Sequence, residues 1–141
     1  MYKEYFDDYC EVKSDFKKEF VSLWSGWLGE ENYHKLENVT ENEWGYFNKC
    51  IRLIAKQYSM YSVNCNDKCI KEISNIEDTL STYENSLNKN ETEFIKYVIP
   101  ELKCIITEEW DYTYIIWYKN NKTLKSLETL IKQSGLFHFS E

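Results

Sequence analysis

Apolar residues fall at positions 2, 5, 6, 9, 12, 16, 20, 23, 24, 27 and 28, three or four apart, with Asp7, Asp8, Glu11, Lys17 and Lys18 largely on the other side. That spacing predicts an amphipathic helix, continuous or kinked near Ser14 and ended by Gly26 and Gly29. Residues 29–40 are polar and read as a loop. Thr40-Glu41-Asn42-Glu43 has the form of a capping box: the Glu43 amide donates to the Thr40 hydroxyl, and the Thr40 amide donates to the Glu43 carboxylate. Behind it Trp44, Phe47, Ile51, Ile54 and Tyr58 predict a helix at 41–60. Residues 61–66 then turn. Asn66 or Asp67 caps a third helix with the stripe Ile70, Ile73, Ile76, Leu80, Tyr83 and Leu87. Asn90 with Glu93 signals one more short helix, holding Phe94, Tyr97 and Val98, which Pro100 stops.

After Pro100 the period changes from 3.6 to 2. Residues 103–107 and 112–118 are β-branched and aromatic, and 108–111 joins them most simply as a hairpin. Asn120-Asn121 ends the second strand and caps a helix with Leu124, Leu127, Leu130 and Ile131. Ser134-Gly135 closes that helix, and residues 136–139 return as a short strand. The expectation is one α+β domain over 1–141. Its N-terminal two-thirds, to residue 100, is mainly helical and packs on a small C-terminal β-β-α-β sheet unit.

Composition supports a real core. Of 141 residues, 43% are hydrophobic and 17% aromatic, while four glycines and one proline leave few breakers. No 18 apolar residues run together, and Met1-Tyr2-Lys3-Glu4 opens without the apolar stretch of a signal peptide. A cytoplasmic protein without membrane contact is therefore expected. Five cysteines, an odd number, then read as free thiols. Cys50 and Cys104 read as core residues, and Cys65 and Cys69 as bracketing a helix start. Cys65 and Cys69 have a spacing zinc could use, but His34 and His138 are far away in sequence and zinc needs four ligands, so no metal is expected.

Chemistry is equally sparse. A cysteine and a histidine could pair, yet neither sits in a nucleophile signature, and His138 between Phe137 and Phe139 reads as a strand residue. No phosphate-binding fingerprint exists, so no cofactor is expected. Lysines are scattered among acids, and Lys119, Lys122, Lys125 and Lys132 read as a solvated helix side, which disfavours nucleic acid.

Charge is the distinctive feature. The net charge is -7, and residues 1–48 carry 11 Asp+Glu against 5 Lys. Those acids are interleaved with aromatic rings, as at Trp24, Trp27 and Trp44. An acidic surface with aromatic anchors suits a basic protein partner. The candidate partner-binding residues are Trp27, Glu30, Glu31, Glu37, Glu41, Glu43 and Trp44 from the first stretch. From the hairpin tip come Glu108, Glu109, Trp110, Asp111 and Tyr112, where a solvated polar turn is the plainer alternative. No catalytic residue is expected.

The segment from Trp110-Asp111-Tyr112-Thr113-Tyr114-Ile115-Ile116-Trp117 through Ser134-Gly135-Leu136-Phe137 resembles segments of bacterial immunity proteins. These small cytosolic proteins neutralise polymorphic toxins, including those of contact-dependent growth inhibition systems. Their families differ in fold, so the resemblance transfers no residue. It implies a non-enzymatic protein that forms a heterodimer with the cognate toxin domain of its own locus, often a basic nuclease. Two other readings stay open. One is a homodimer formed through the Ile70–Leu87 stripe or the edge of the last strand. The other is an uncharacterised hydrolase.

Overall fold

Strands from both ends of the chain meet in one sheet. The computed structural model describes residues 1–88 and 94–141. Its strands are β1 (Lys17–Ser22), β2 (Tyr61–Asn64), β3 (Cys69–Glu72), β4 (Lys96–Ile99), β5 (Cys104–Glu109), β6 (Thr113–Tyr118) and β7 (Phe137–Phe139). They form a seven-stranded sheet in the order β3-β2-β4-β5-β6-β1-β7, with every neighbouring pair antiparallel. Helices α1 (Tyr2–Tyr5), α2 (Glu41–Gln57), α3 (Tyr83–Asn88) and α4 (Asn121–Gln133) accompany it. Among the described residues, 3₁₀ segments lie at Glu30–Asn38, Ile76–Thr79 and Pro100–Leu102.

This arrangement overturns the expected helical N-terminal two-thirds. The stretch 1–28 is a short helix, an irregular cap and strand β1. Its three-to-four spacing comes from aromatic residues of the cap reaching one sheet face: Tyr2, Tyr5, Phe6, Cys10 and Phe16 cluster on Val98 and Ile105. Residues 61–72 form the β2–β3 hairpin. The Asp67 amide and the Asn64 side-chain amide close it, each bonding within the Asn64–Asp67 pair, and Lys68 adopts φ 51. The Ile70–Leu87 stripe is therefore no helix. It is divided among β3, a 3₁₀ turn and α3, and the homodimer seam built on it falls with it. The cap signal at Asn90 and Glu93 lies outside the described residues, while Tyr97 and Val98, expected in its helix, belong to β4.

Other expectations hold. The Thr40 capping box is formed in both directions and starts α2, at 3.1 Å each way. The β5–β6 hairpin, α4 with Asn120 accepting from the Lys122 amide, and the last strand all form. Gly135 ends α4 at φ +89, a backbone state that favours glycine.

The sheet has two covered faces. On one, Phe47, Ile51 and Ile54 of α2 and Leu127, Leu130 and Ile131 of α4 bury Val21, Ile99, Ile106, Tyr114 and Ile116. On the other, the cap covers β4 and β5 and is flanked by Tyr61 and Val63 of β2, Ile70 of β3 and Trp117 of β6. Lys96 donates to the Cys10 carbonyl at 2.7 Å, and a Cys10–Cys65 disulfide ties the cap to the β2–β3 hairpin. That bond corrects the expectation of free thiols throughout: Cys50, Cys69 and Cys104 alone are free, and Cys65 and Cys69 flank a hairpin turn, not a helix start. Among the described residues no helix is long and apolar enough to cross a membrane.

Candidate functional site

Where the cap stops, the second face of the sheet opens into a pocket of about 440 Å³. Strand alternation provides its floor. Phe20 and Ser22 of β1 and Thr113 and Ile115 of β6 face this side, while their neighbours Val21, Tyr114 and Ile116 enter the helix-covered core. The loop after β1 provides one wall. Gly29, at φ +71, turns the chain into the 3₁₀ segment 30–38, and Leu28, Tyr33 and Leu36 line the cavity. Asn32 holds that turn by donating to the Leu28 carbonyl. Trp27 packs edge-on against Phe20 at 4.7 Å and Phe139 at 5.0 Å, yet is 57% exposed.

The β5–β6 tip provides the opposite wall with Glu109, Trp110 and Asp111. Three devices fix it. The Trp117 indole donates to Thr107 Oγ1, which donates to Glu109 Oε2 at 2.7 Å, so that carboxylate is held. Asp111 and Tyr112 both adopt positive φ, 60 and 55, with the Thr113 hydroxyl donating to the Asp111 carbonyl and the Ser22 hydroxyl to the Tyr112 carbonyl. Two consecutive non-glycine residues in that region store backbone strain, of a kind that gathers at binding sites. Trp110 is 55% exposed and packs edge-on against Phe94.

The expected interface residues thus separate. Trp27, Glu109, Trp110 and Asp111 meet at one pocket although some 80 positions divide them in sequence. Glu30, Glu31 and Glu37 lie exposed on the 3₁₀ segment that walls it. Glu41 is exposed at the start of α2, and Glu43 is engaged in the capping box. Three expectations are corrected. Trp44 is 5% exposed in the helix-side core, donating to the Ser81 carbonyl. Glu108 is 6% exposed on that same side, one residue out of register with Glu109, and accepts from the Ile95 amide. Tyr112 turns back to pack on Trp44 at 6.0 Å. Trp44 and Glu108 cannot meet a partner without unpacking, whereas Tyr112 is half-buried and lines a second cavity with Trp110 and Asp111.

Phe20, Tyr33 and Ile115 are pocket residues the sequence did not single out. The alternation of Phe20 with Val21 would have flagged the first, had residues 17–22 read as a strand. His138 Nδ1 lies 2.6 Å from the buried Glu19 carboxylate and Nε2 3.4 Å from Glu128, so it bridges β7 to β1 and α4. Burial pushes the thiols of Cys104 and Cys50 up to about 12 and 11, the latter partly offset by a hydrogen bond with Ser134. Such protonated thiols are poor nucleophiles at neutral pH. Among the described residues no cluster of His, Cys, Asp and Glu is arranged to hold a metal.

No protein-family model matches the chain, and no curated protein or solved structure is significantly similar to it.

Proposed function

We propose that this protein binds a basic protein partner across the pocket face and blocks it, as an immunity-type inhibitor of a nuclease-like toxin domain. One observation carries the reading: two tryptophans more than half exposed, Trp27 and Trp110, border a cavity that also holds the Glu109 and Asp111 carboxylates. Large exposed rings are costly to leave in water and are common at the energetic centres of interfaces. Carboxylates desolvated against a partner's cations can each contribute about 1.5–7 kcal/mol in coupling energy, with rim acids such as Glu30 and Glu31 mainly speeding encounter. Occlusion needs no chemistry from the inhibitor: acidic ground seated in a cationic cleft excludes phosphate.

Co-expression with the toxin domain of the same locus tests this. Protection of the cells and a 1:1 complex are expected. The reversal Glu109→Lys with Asp111→Lys should weaken that complex while leaving the unfolding midpoint nearly unchanged. No complex and no protection would defeat the reading. A cytoplasmic location belongs to it, and Cys10–Cys65 bears on that location, because disulfides are rare in reducing cytosol. Acid-trapping the thiols in cells decides whether the bond forms there.

One feature favours a homodimer as the second reading. Strand β7 is a sheet edge of three residues, with Phe137 49% exposed. Light scattering across a concentration series separates the two: a stable homodimer that captures no basic toxin domain favours edge pairing.

A further inference from the structure

We infer that the pocket between Trp27 and Trp110 receives an arginine side chain of the partner; this rests on the binding reading above and names the group that the site grips. Each part of the cavity matches a part of that side chain. Phe20 and Ile115 give an apolar floor for a methylene stem. The exposed indoles of Trp27 and Trp110 offer π-faces, on which a planar guanidinium stacks better than a compact, strongly hydrated ammonium. Glu109, with one oxygen already fixed by Thr107, presents a carboxylate whose orientation is set before binding. Asp111 adds a second negative charge at the tip. Forked N–H donors meet a fixed carboxylate in paired hydrogen bonds, which lysine cannot reproduce.

Charge complementarity decides the sign of the guest. No lysine, arginine or histidine lines the cavity among the described residues. Three acids elsewhere are answered by internal cations: Asp15 by Lys119, Glu77 by Arg52, and Glu128 by Lys132. No ion pair among the described residues uses Glu109 or Asp111. The hydroxyls on the pocket floor are already committed, since Ser22 and Thr113 both donate to backbone carbonyls of the tip. What the pocket offers a guest is chiefly rings and carboxylates, Tyr33 among the former, and a flat cation answers both.

The test uses the whole protein and N-acetyl-arginine amide, with N-acetyl-citrulline amide as the uncharged isostere, read by NMR at the tryptophan indole N–H signals. Trp27→Phe and Trp110→Phe assign those signals. The expected result is a saturable shift of both, with a dissociation constant of about 1–10 mM, and binding at least about tenfold weaker for citrulline. Glu109→Gln with Asp111→Asn should abolish the preference for arginine while leaving the fold intact by circular dichroism. Equal binding of the two amides, no saturation by about 50 mM, or shifts confined to other indoles would overturn the inference. Failure here beside an intact complex with the basic partner would remove the anchor and leave the proposed function standing. Arginine binding without any such complex would do the reverse.

Discussion

Cys10 and Cys65 lie 55 residues apart, and their bond cross-links the N-terminal cap to the β2–β3 hairpin. A cross-link of that span restricts the unfolded chain by about 4 kcal/mol in the loop-entropy model. The cap has other attachments. Tyr5, Phe6 and Phe16 are buried on Val98 and Ile105, and Lys96 donates to the Cys10 carbonyl. Opening the bond should therefore lower stability by about 3–4 kcal/mol without releasing the cap. With a urea slope near 2 kcal/mol per M, the midpoint falls by about 2 M. Cys10→Ser in a Cys69→Ser background is the cleanest variant, because Cys69 faces Asn64 across the hairpin, beside Cys65, and could otherwise capture the released thiol.

The assay is urea unfolding with and without reductant, alongside alkylation of the unfolded chain. Unreduced protein should expose three reactive thiols, from Cys50, Cys69 and Cys104. Reduction of the native sequence should reproduce the variant's midpoint, and Cys69→Ser alone should leave it unchanged. Five reactive thiols in unreduced protein, or a midpoint indifferent to Cys10→Ser, would refute the reasoning.

Three further outcomes are expected. Gly135→Ala should cost about 1–2 kcal/mol in chemical denaturation, because the position holds φ +89 and the Tyr46 ring lies 3.2 Å from where a Cβ would sit. Thr40→Ala removes the side-chain half of the capping box and should cost about 1 kcal/mol by the same measurement. Tyr97 tests alkaline stability, since burial pushes its phenol up to about 12 from an ordinary 10. Its contribution is fully present below pH 10 and falls by roughly 2–3 kcal/mol as pH rises through 12. Tyr97→Phe, which loses only the hydroxyl shared with Thr79, should show a shallower alkaline decline than the native protein.

How much of this was legible depended on whether a segment's signal was local. The capping box, the hairpin and α4 are specified within a few residues, and they form close to where the sequence placed them, although Glu108 and Glu109, expected in the joining turn, extend β5. Strand β1 is not so specified. It pairs with β6, about 95 positions away, and with β7, and both its faces are buried, so Glu19-Phe20-Val21-Ser22 shows no clean alternation of polar and apolar residues. The site divided on the same principle. Glu108 and Glu109 are equivalent in a list of acids, but one step along a strand reverses the face, and only Glu109 reaches the pocket. Tyr112 was misjudged because nothing in Trp-Asp-Tyr-Thr announces two left-handed residues, a state usually given to glycine or asparagine.

The acidic excess of the first third gains its meaning from where that third folds. Residues 1–16 and 24–38 flank the same sheet face, one as the cap and the other as the pocket wall. In the cap half cations reach Asp15 and the aromatic rings, while Glu4, Asp7, Asp8 and Glu11 are exposed. Lys119 pairs with Asp15 over the Phe16 ring, Lys18 lies over Trp117, and Lys96 reaches the Cys10 carbonyl above Phe6. In the pocket half Glu30, Glu31 and Glu37 stand exposed around a cavity whose lining carries two carboxylates and, among the described residues, no cation. Field lines from such a wall converge on its concave centre, where the low-dielectric rings weaken screening. The same number of acids spread evenly over the surface would leave no direction to the attraction. Placed around one concave part of that face, beside Trp27 and Trp110, Glu30, Glu31 and Glu37 with the tip acids give a cationic partner both a heading and a place to dock.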